Sequence, residues 1–139
     1  MIEKNYKFPY LIHDGGCYGV KWEDDVLSMT ICRYYLENEP NEIEIEFHGV
    51  EWIRSTCDEL GPDGYSSELS LTEYPLVDRE KMKKDYTKYV AYGYLDDIRC
   101  IDDGLVLIDD IMFFPCSEIR IIRAVCNRDI GKTERELLP

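Results

Sequence analysis

Apolar and polar positions alternate along much of the chain, most regularly at 42–47, where Ile43, Ile45 and Phe47 interleave with Glu42, Glu44 and Glu46. A period of two sets three apolar side chains on one face of a strand and three carboxylates on the other, so Glu42 to Val50 reads as a half-buried strand. The preceding segment, Val26 to Leu36, carries Leu27, Met29, Ile31 and Tyr35 on one parity and Ser28, Thr30, Cys32 and Tyr34 on the other. An antiparallel hairpin through Glu37 to Asn41 keeps both apolar sets on one face only if paired residue numbers sum to an even value, predicted at about 78, which places Ile31 near Phe47.

Turn chemistry divides the remainder. Asp103-Gly104 suits a two-residue type I′ turn and links Tyr94 to Asp102 with Leu105 to Phe113. Leu105, Val106, Leu107 and Ile108 run without alternation, which predicts central strands covered on both faces. Glu118 to Cys126 reads as a further strand, and Tyr10 to Ile12 and Cys17 to Trp22 as shorter ones at an edge. Asp78 to about Val90 reads as the main helix: Asp78 is placed to cap it, Met82, Tyr86, Tyr89 and Val90 recur at helical intervals, and Gly93 ends the pattern. Asn127 to Pro139 reads as a short helix or a loose tail. With 139 residues, no repeat and no low-complexity linker, the prediction is a single α+β domain over 1–139. Its sheet is mostly antiparallel, with one main helix over about 78–90 packed on it.

Charge changes the picture. The formal net charge is −13, and residues 1–76 hold 16 acidic and 5 basic residues against 13 and 11 in 77–139, that is −11 against −2. Such an excess of carboxylates opposes direct binding to a phosphate backbone. Glu42, Glu44 and Glu46 project from one strand face about 6 to 7 Å apart, with Glu51 beyond its end, and the predicted hairpin sets nothing basic opposite them. Such a row is either a solvated face or a surface for a cation-rich partner. Eleven tyrosines and two tryptophans enrich the second reading, because these side chains bury an apolar body while keeping a polar tip paired. Tyr34 and Trp52 fall on or near the acidic hairpin.

Catalytic and metal signatures are sparse. Asp103-Gly104 pairing sets Asp97 across from Asp110, close enough to raise one carboxyl pKa or to bridge a hard cation, with Arg99 near enough to neutralise the pair. That is the basis of an alternative reading as a metal-dependent or acid/base enzyme. The six cysteines show no Cys-x-x-Cys spacing and only His13 and His48 accompany them, so no cofactor or metal is expected. Cys17 near His13 and Cys57 near His48 are the only nucleophile pairings that the order of residues offers. Met1 to Tyr10 lacks an apolar signal core, and no run reaches the roughly 18 apolar residues of a membrane span, so the expectation is a cytoplasmic protein with reduced thiols and no membrane association.

Size, acidity, a sheet-rich cytosolic character and the strand pair Val26 to Leu36 and Glu42 to Val50 give the chain a general resemblance to the small acidic immunity proteins of bacterial toxin–immunity systems. The resemblance implies a role and not a fold, and carries over no residues by position. The role implied is non-catalytic: an acidic, aromatic surface formed by Glu42, Glu44, Glu46, Glu51, Tyr34 and Trp52 covers the active site of a cognate toxin with a basic surface, such as a nuclease. A toxin with an acidic or neutral surface would instead direct the interface to Lys81, Lys83, Lys84 and Arg123. A homodimeric structural or regulatory module is the remaining alternative.

Overall fold

The computed structural model describes residues 1–10, 12, 15–55, 76–84, 97–109 and 112–129. The described chain forms strands β1 (Gly16–Glu23), β2 (Val26–Cys32), β3 (Glu42–His48), β4 (Arg54–Ser55), β5 (Ile98–Asp102), β6 (Leu105–Ile108), β7 (Met112–Pro115) and β8 (Glu118–Val125). Among the described residues these make two antiparallel sheets with strand orders β1-β2-β3-β8 and β4-β7-β6-β5.

The inward faces of the two sheets share one core. Leu27, Met29 and Ile31 of β2 and Ile43, Ile45 and Phe47 of β3 pack with Ile98, Val106, Ile108, Met112 and Phe114 of the second sheet. Phe47 and Phe114 meet edge to face across the gap, 5.0 Å between ring centroids and 75° between planes. Burial of apolar area of this kind is the main stabilising contribution to such a layered arrangement. β6 and β7 lie in the middle of the second sheet, and Leu107 and Phe113 are buried on its other face. The unbroken apolar run at 105–108 therefore marks a strand covered on both sides, as predicted.

The expected α+β fold with a main helix is corrected. The described chain is mostly antiparallel β in two sheets, and its only α-helix is α1, Arg79–Lys84. Asp78 does cap it, its Oδ1 accepting the Glu80 N–H at 2.9 Å and the Lys81 N–H at 3.2 Å. Met82 of this short helix is buried, and the Arg79 guanidinium lies 3.9 Å above the Trp22 ring of β1. Positions 85–90 of the expected helix, like 130–139 of the expected tail, lie outside the described residues. Among the described residues this turn packs on β1, while most of the buried apolar side chains lie between the two sheets.

The hairpin register is also corrected. Val26 pairs with His48 and Ile31 with Ile43, a sum of 74. The parity is as predicted, so the same residues face the core, but β2 ends at Cys32 and residues 33–41 form a longer connection. At the other hairpin only Gly104 has a positive φ, 73°, whereas a type I′ turn needs one at both central residues.

Candidate functional site

The Glu42, Glu44 and Glu46 side chains stand where the alternation puts them, in a row on the outward face of β3. β3 is an interior strand, flanked by β2 and β8, so the row sits on backbone bonded from both sides. On the β2 side its neighbours are Cys32, Thr30 and Ser28. On the β8 side they are Val125 beside Glu42, Arg123 beside Glu44 and Arg120 beside Glu46. The row predicted to lack compensation thus has a column of guanidinium groups beside it. The hairpin register alone could not reveal this, because the compensating strand lies more than 70 residues further along the chain.

Individual carboxylates differ in what holds them. Glu42 accepts hydrogen bonds from the Asn127 amide at 3.0 Å and the Tyr18 hydroxyl at 2.9 Å, and these two bonds, in that order, hold its carboxyl below the usual glutamate range. Burial, followed by the bond to Glu42, pushes the Tyr18 phenol up, so the hydroxyl stays a donor at neutral pH. Glu46 Oε1 lies 2.9 Å from His48 Nε2. Glu44 is the exposed member at the centre of the row. Glu118, at the start of β8, is lowered first by its hydrogen bond from Arg120, 3.0 Å long.

The same outward face carries Glu23 and Lys21 on β1. Five carboxylates (Glu23, Glu42, Glu44, Glu46, Glu118) against three cations (Lys21, Arg120, Arg123) give −2, so most of the chain's −13 lies off this face. The face is a mixed charge ladder within an acidic molecule.

Of the other nominated residues, Trp52 lies away from the row. Trp52 packs edge to face on Phe113, 5.8 Å between centroids, against the far side of the second sheet. That puts it on the opposite side of the sandwich from Glu44. Glu51 is exposed beside it in the chain, and Tyr34 is exposed in the 33–41 connection at the Glu42 end. The aromatic side chain that does reach the row is Tyr18, one strand beyond β2, through its bond to Glu42. Pairing Cys17 to Trp22 with β2 around the Asp24-Asp25 turn would have brought it into view.

The carboxylate pair across β5 and β6 is Asp97 with Asp109, in place of Asp97 with Asp110. The two-residue turn starts with Asp102 opposite Leu105, but a bulge between Cys100 and Asp102 slips the ladder by one, so that Ile98 pairs with Ile108. Asp109 Oδ1 then accepts the Asp97 N–H at 2.9 Å, and Asp97 Oδ2 lies 3.5 Å from Arg99 Nε. These are the bonds of a strand end. Asp110, His13 and Cys57 lie outside the described residues. Cys17, Cys32, Cys100, Cys116 and Cys126 are thiols, and burial raises the pKa of Cys32, Cys100 and Cys116, the last to about 11, which keeps them protonated and unreactive at neutral pH. Among the described residues no three His, Cys, Asp or Glu side chains are grouped to hold a metal ion, and no helix is long and apolar enough to cross a membrane.

Comparison with protein-family models, curated proteins and solved structures finds no match to this chain.

The Glu42 bonds make a prediction about acid. Because the folded carboxyl is held below the ordinary glutamate value of 4.5, its contribution to stability is present above that pH and is lost as pH falls through the lowered folded value. Glu42→Gln should therefore lower the urea midpoint near neutral pH, and its deficit relative to wild type should shrink as the pH is taken from about 6 to about 3. A deficit constant over that range would mean that the charged form gains nothing from Asn127 and Tyr18.

Proposed function

We propose that the protein is a non-catalytic inhibitor of the immunity type, acting in the cytoplasm, which binds a cognate toxin with a basic surface and covers that toxin's active site. The observation that carries this reading is the row of Glu42, Glu44 and Glu46 on an interior strand, in a chain of net charge −13. The surplus charge of the whole molecule accelerates encounter with a cationic protein, and the row on β3 supplies fixed points for its lysines and arginines. Tyr18 adds an amphipathic body, 45% exposed, beside the first of them. The Arg120 and Arg123 column makes the surface selective. A partner must place cations over β3 and neutral or acidic groups over β8, and a uniformly basic surface meets repulsion there.

The test is co-expression. The protein encoded next to this chain in its genome should arrest growth of a bacterial host when expressed alone and should not do so when expressed with this chain. The purified pair should associate at a rate that falls about tenfold or more as salt rises from roughly 50 to 500 mM, and Glu44→Lys should reduce the low-salt rate about tenfold. Association indifferent both to salt and to Glu44→Lys would remove the β3 row from the interface, and absence of any complex would remove the inhibitor reading.

A further inference from the structure

We propose that the outward face of the first sheet docks on the same face of a second copy of this chain, with β3 of each copy over β8 of the other. The β3–β8 ladder carries the argument. It sets Glu46 beside Arg120, Glu44 beside Arg123 and His48 beside Glu118, all on the outward face of adjacent antiparallel strands. Glu44 and Arg123 are both exposed, and among the described residues neither closes an ion pair. Arg120 holds Glu118 at 3.0 Å yet keeps 53% of its side chain exposed.

A two-fold axis above this face, parallel to the strands and midway between β3 and β8, exchanges the two strands and keeps the height of each residue along them. Every lateral pair of the ladder then recurs as two pairs across the interface. Glu46 of one copy stands over Arg120 of the other, Glu44 over Arg123 and His48 over Glu118, and symmetry repeats each contact. A second copy therefore offers what this surface selects, cations over β3 and carboxylates over β8.

Charge disfavours the other ways of facing two such sheets. An axis across the strands sets β3 on β3 and β8 on β8, so that carboxylates oppose carboxylates and guanidinium groups oppose guanidinium groups. An axis along the strands but midway between β2 and β3 sets β8 over β1, with Arg120 over Lys21 and Glu118 over Glu23. Like charges opposed across an interface cost free energy, which favours the axis between β3 and β8 over both.

The contact strip is two strands wide and seven residues long, about 10 by 24 Å in projection. That is well short of the roughly 800 Å² per partner of a standard interface, so the dimer is weak and forms with rising concentration. Each copy carries −13. Near 150 mM salt, where the screening length is about 8 Å, this long-range repulsion is damped while pairs in contact keep their attraction. The dimer does not rest on the inhibitor reading, but it covers the β3 row, so a toxin docked there and a second copy exclude each other.

The experiment is sedimentation equilibrium of the full chain at about 10 µM to 1 mM in about 150 mM salt. The wild-type mass should rise from 16.4 kDa toward twice that value. Glu44→Arg and Arg123→Glu should each weaken self-association about tenfold or more, because each sets two like-charged pairs in the interface. Both positions are exposed, so both variants keep the fold. Mixed in equal amounts, the two variants should associate as the wild type does, because residue 44 of each copy again meets an opposite charge at position 123 of the other. The mixture leaves the neighbours within each chain as they are in the single variants, so recovery reads a contact between chains. Net charge does not mimic the pattern: Glu44→Arg removes one negative charge and adds one positive, taking −13 to −11, which by itself favours association. A wild type that stays at 16.4 kDa throughout would overturn the proposal. So would single variants that associate like the wild type, as pairing through the edge of β8 would give, or a mixture that stays monomeric.

Discussion

Phe114→Ala is expected to lower the unfolding free energy by about 3 to 5 kcal/mol, measured by urea denaturation at neutral pH. Phe114 is fully buried at the centre of the core and rests edge to face on Phe47, which is equally buried. Truncation removes a ring's worth of buried apolar area and leaves a cavity between two sheets whose backbones are fixed by their ladders and cannot close fully over it. A small domain has only about 5 to 15 kcal/mol in total, so the loss is a large fraction of its stability. Phe47→Ala should cost a similar amount. The double variant should cost less than the sum by about 0.5 to 1.5 kcal/mol, since the ring pair is lost only once. A loss below about 1 kcal/mol for Phe114→Ala would mean that the two sheets do not pack through these rings.

Which of these features the order of residues reveals depends on how far apart the interacting groups lie. The alternation at 42–47 is local, and it gave β3, its inward face and its row of carboxylates. The unbroken apolar run at 105–108 likewise gave a strand buried on both sides. The parity of the β2–β3 hairpin followed from burial, but its register depended on residues 33–41, whose ends are fixed by tertiary bonds. Arg33, with only 2% of its side chain exposed, is held by Glu39 at 2.6 Å, and Asn41 is bonded to the far end of β8. Arg120 and Arg123 stand beside Glu46 and Glu44 in the ladder only because β8 adds to β3, a matter of strand order that no local pattern specifies. Trp52 is four residues from His48 yet lies on the other side of the sandwich, because the chain crosses to the second sheet between them.

Asn41 shows the limit most sharply, and it carries the second large prediction. Beside Pro40 it reads as an ordinary turn residue, yet it is fully buried. Its amide donates to the Arg33 carbonyl at 3.2 Å and to the Asn127 carbonyl at 2.8 Å, while its Oδ1 accepts the Asn127 N–H at 2.6 Å. Its main chain adds bonds to Arg33 and Val125, which alanine would keep. Asn41→Ala therefore removes only the side-chain bonds, leaving an N–H and two carbonyls short of partners in a partly dry junction, and should cost about 2 to 3 kcal/mol in urea denaturation. The same change should reach the charged face. Asn127 is held by Asn41 and in turn donates its own amide to Glu42, so loosening it should let the Glu42 carboxyl titrate closer to the ordinary glutamate range, readable by ¹³C NMR of the carboxyl carbon. A stability loss below about 0.5 kcal/mol would mean that water already serves these groups. A full loss with Glu42 titrating as before would mean that β8 positions Asn127 without help from Asn41, and that the row on β3 is independent of the junction beneath it.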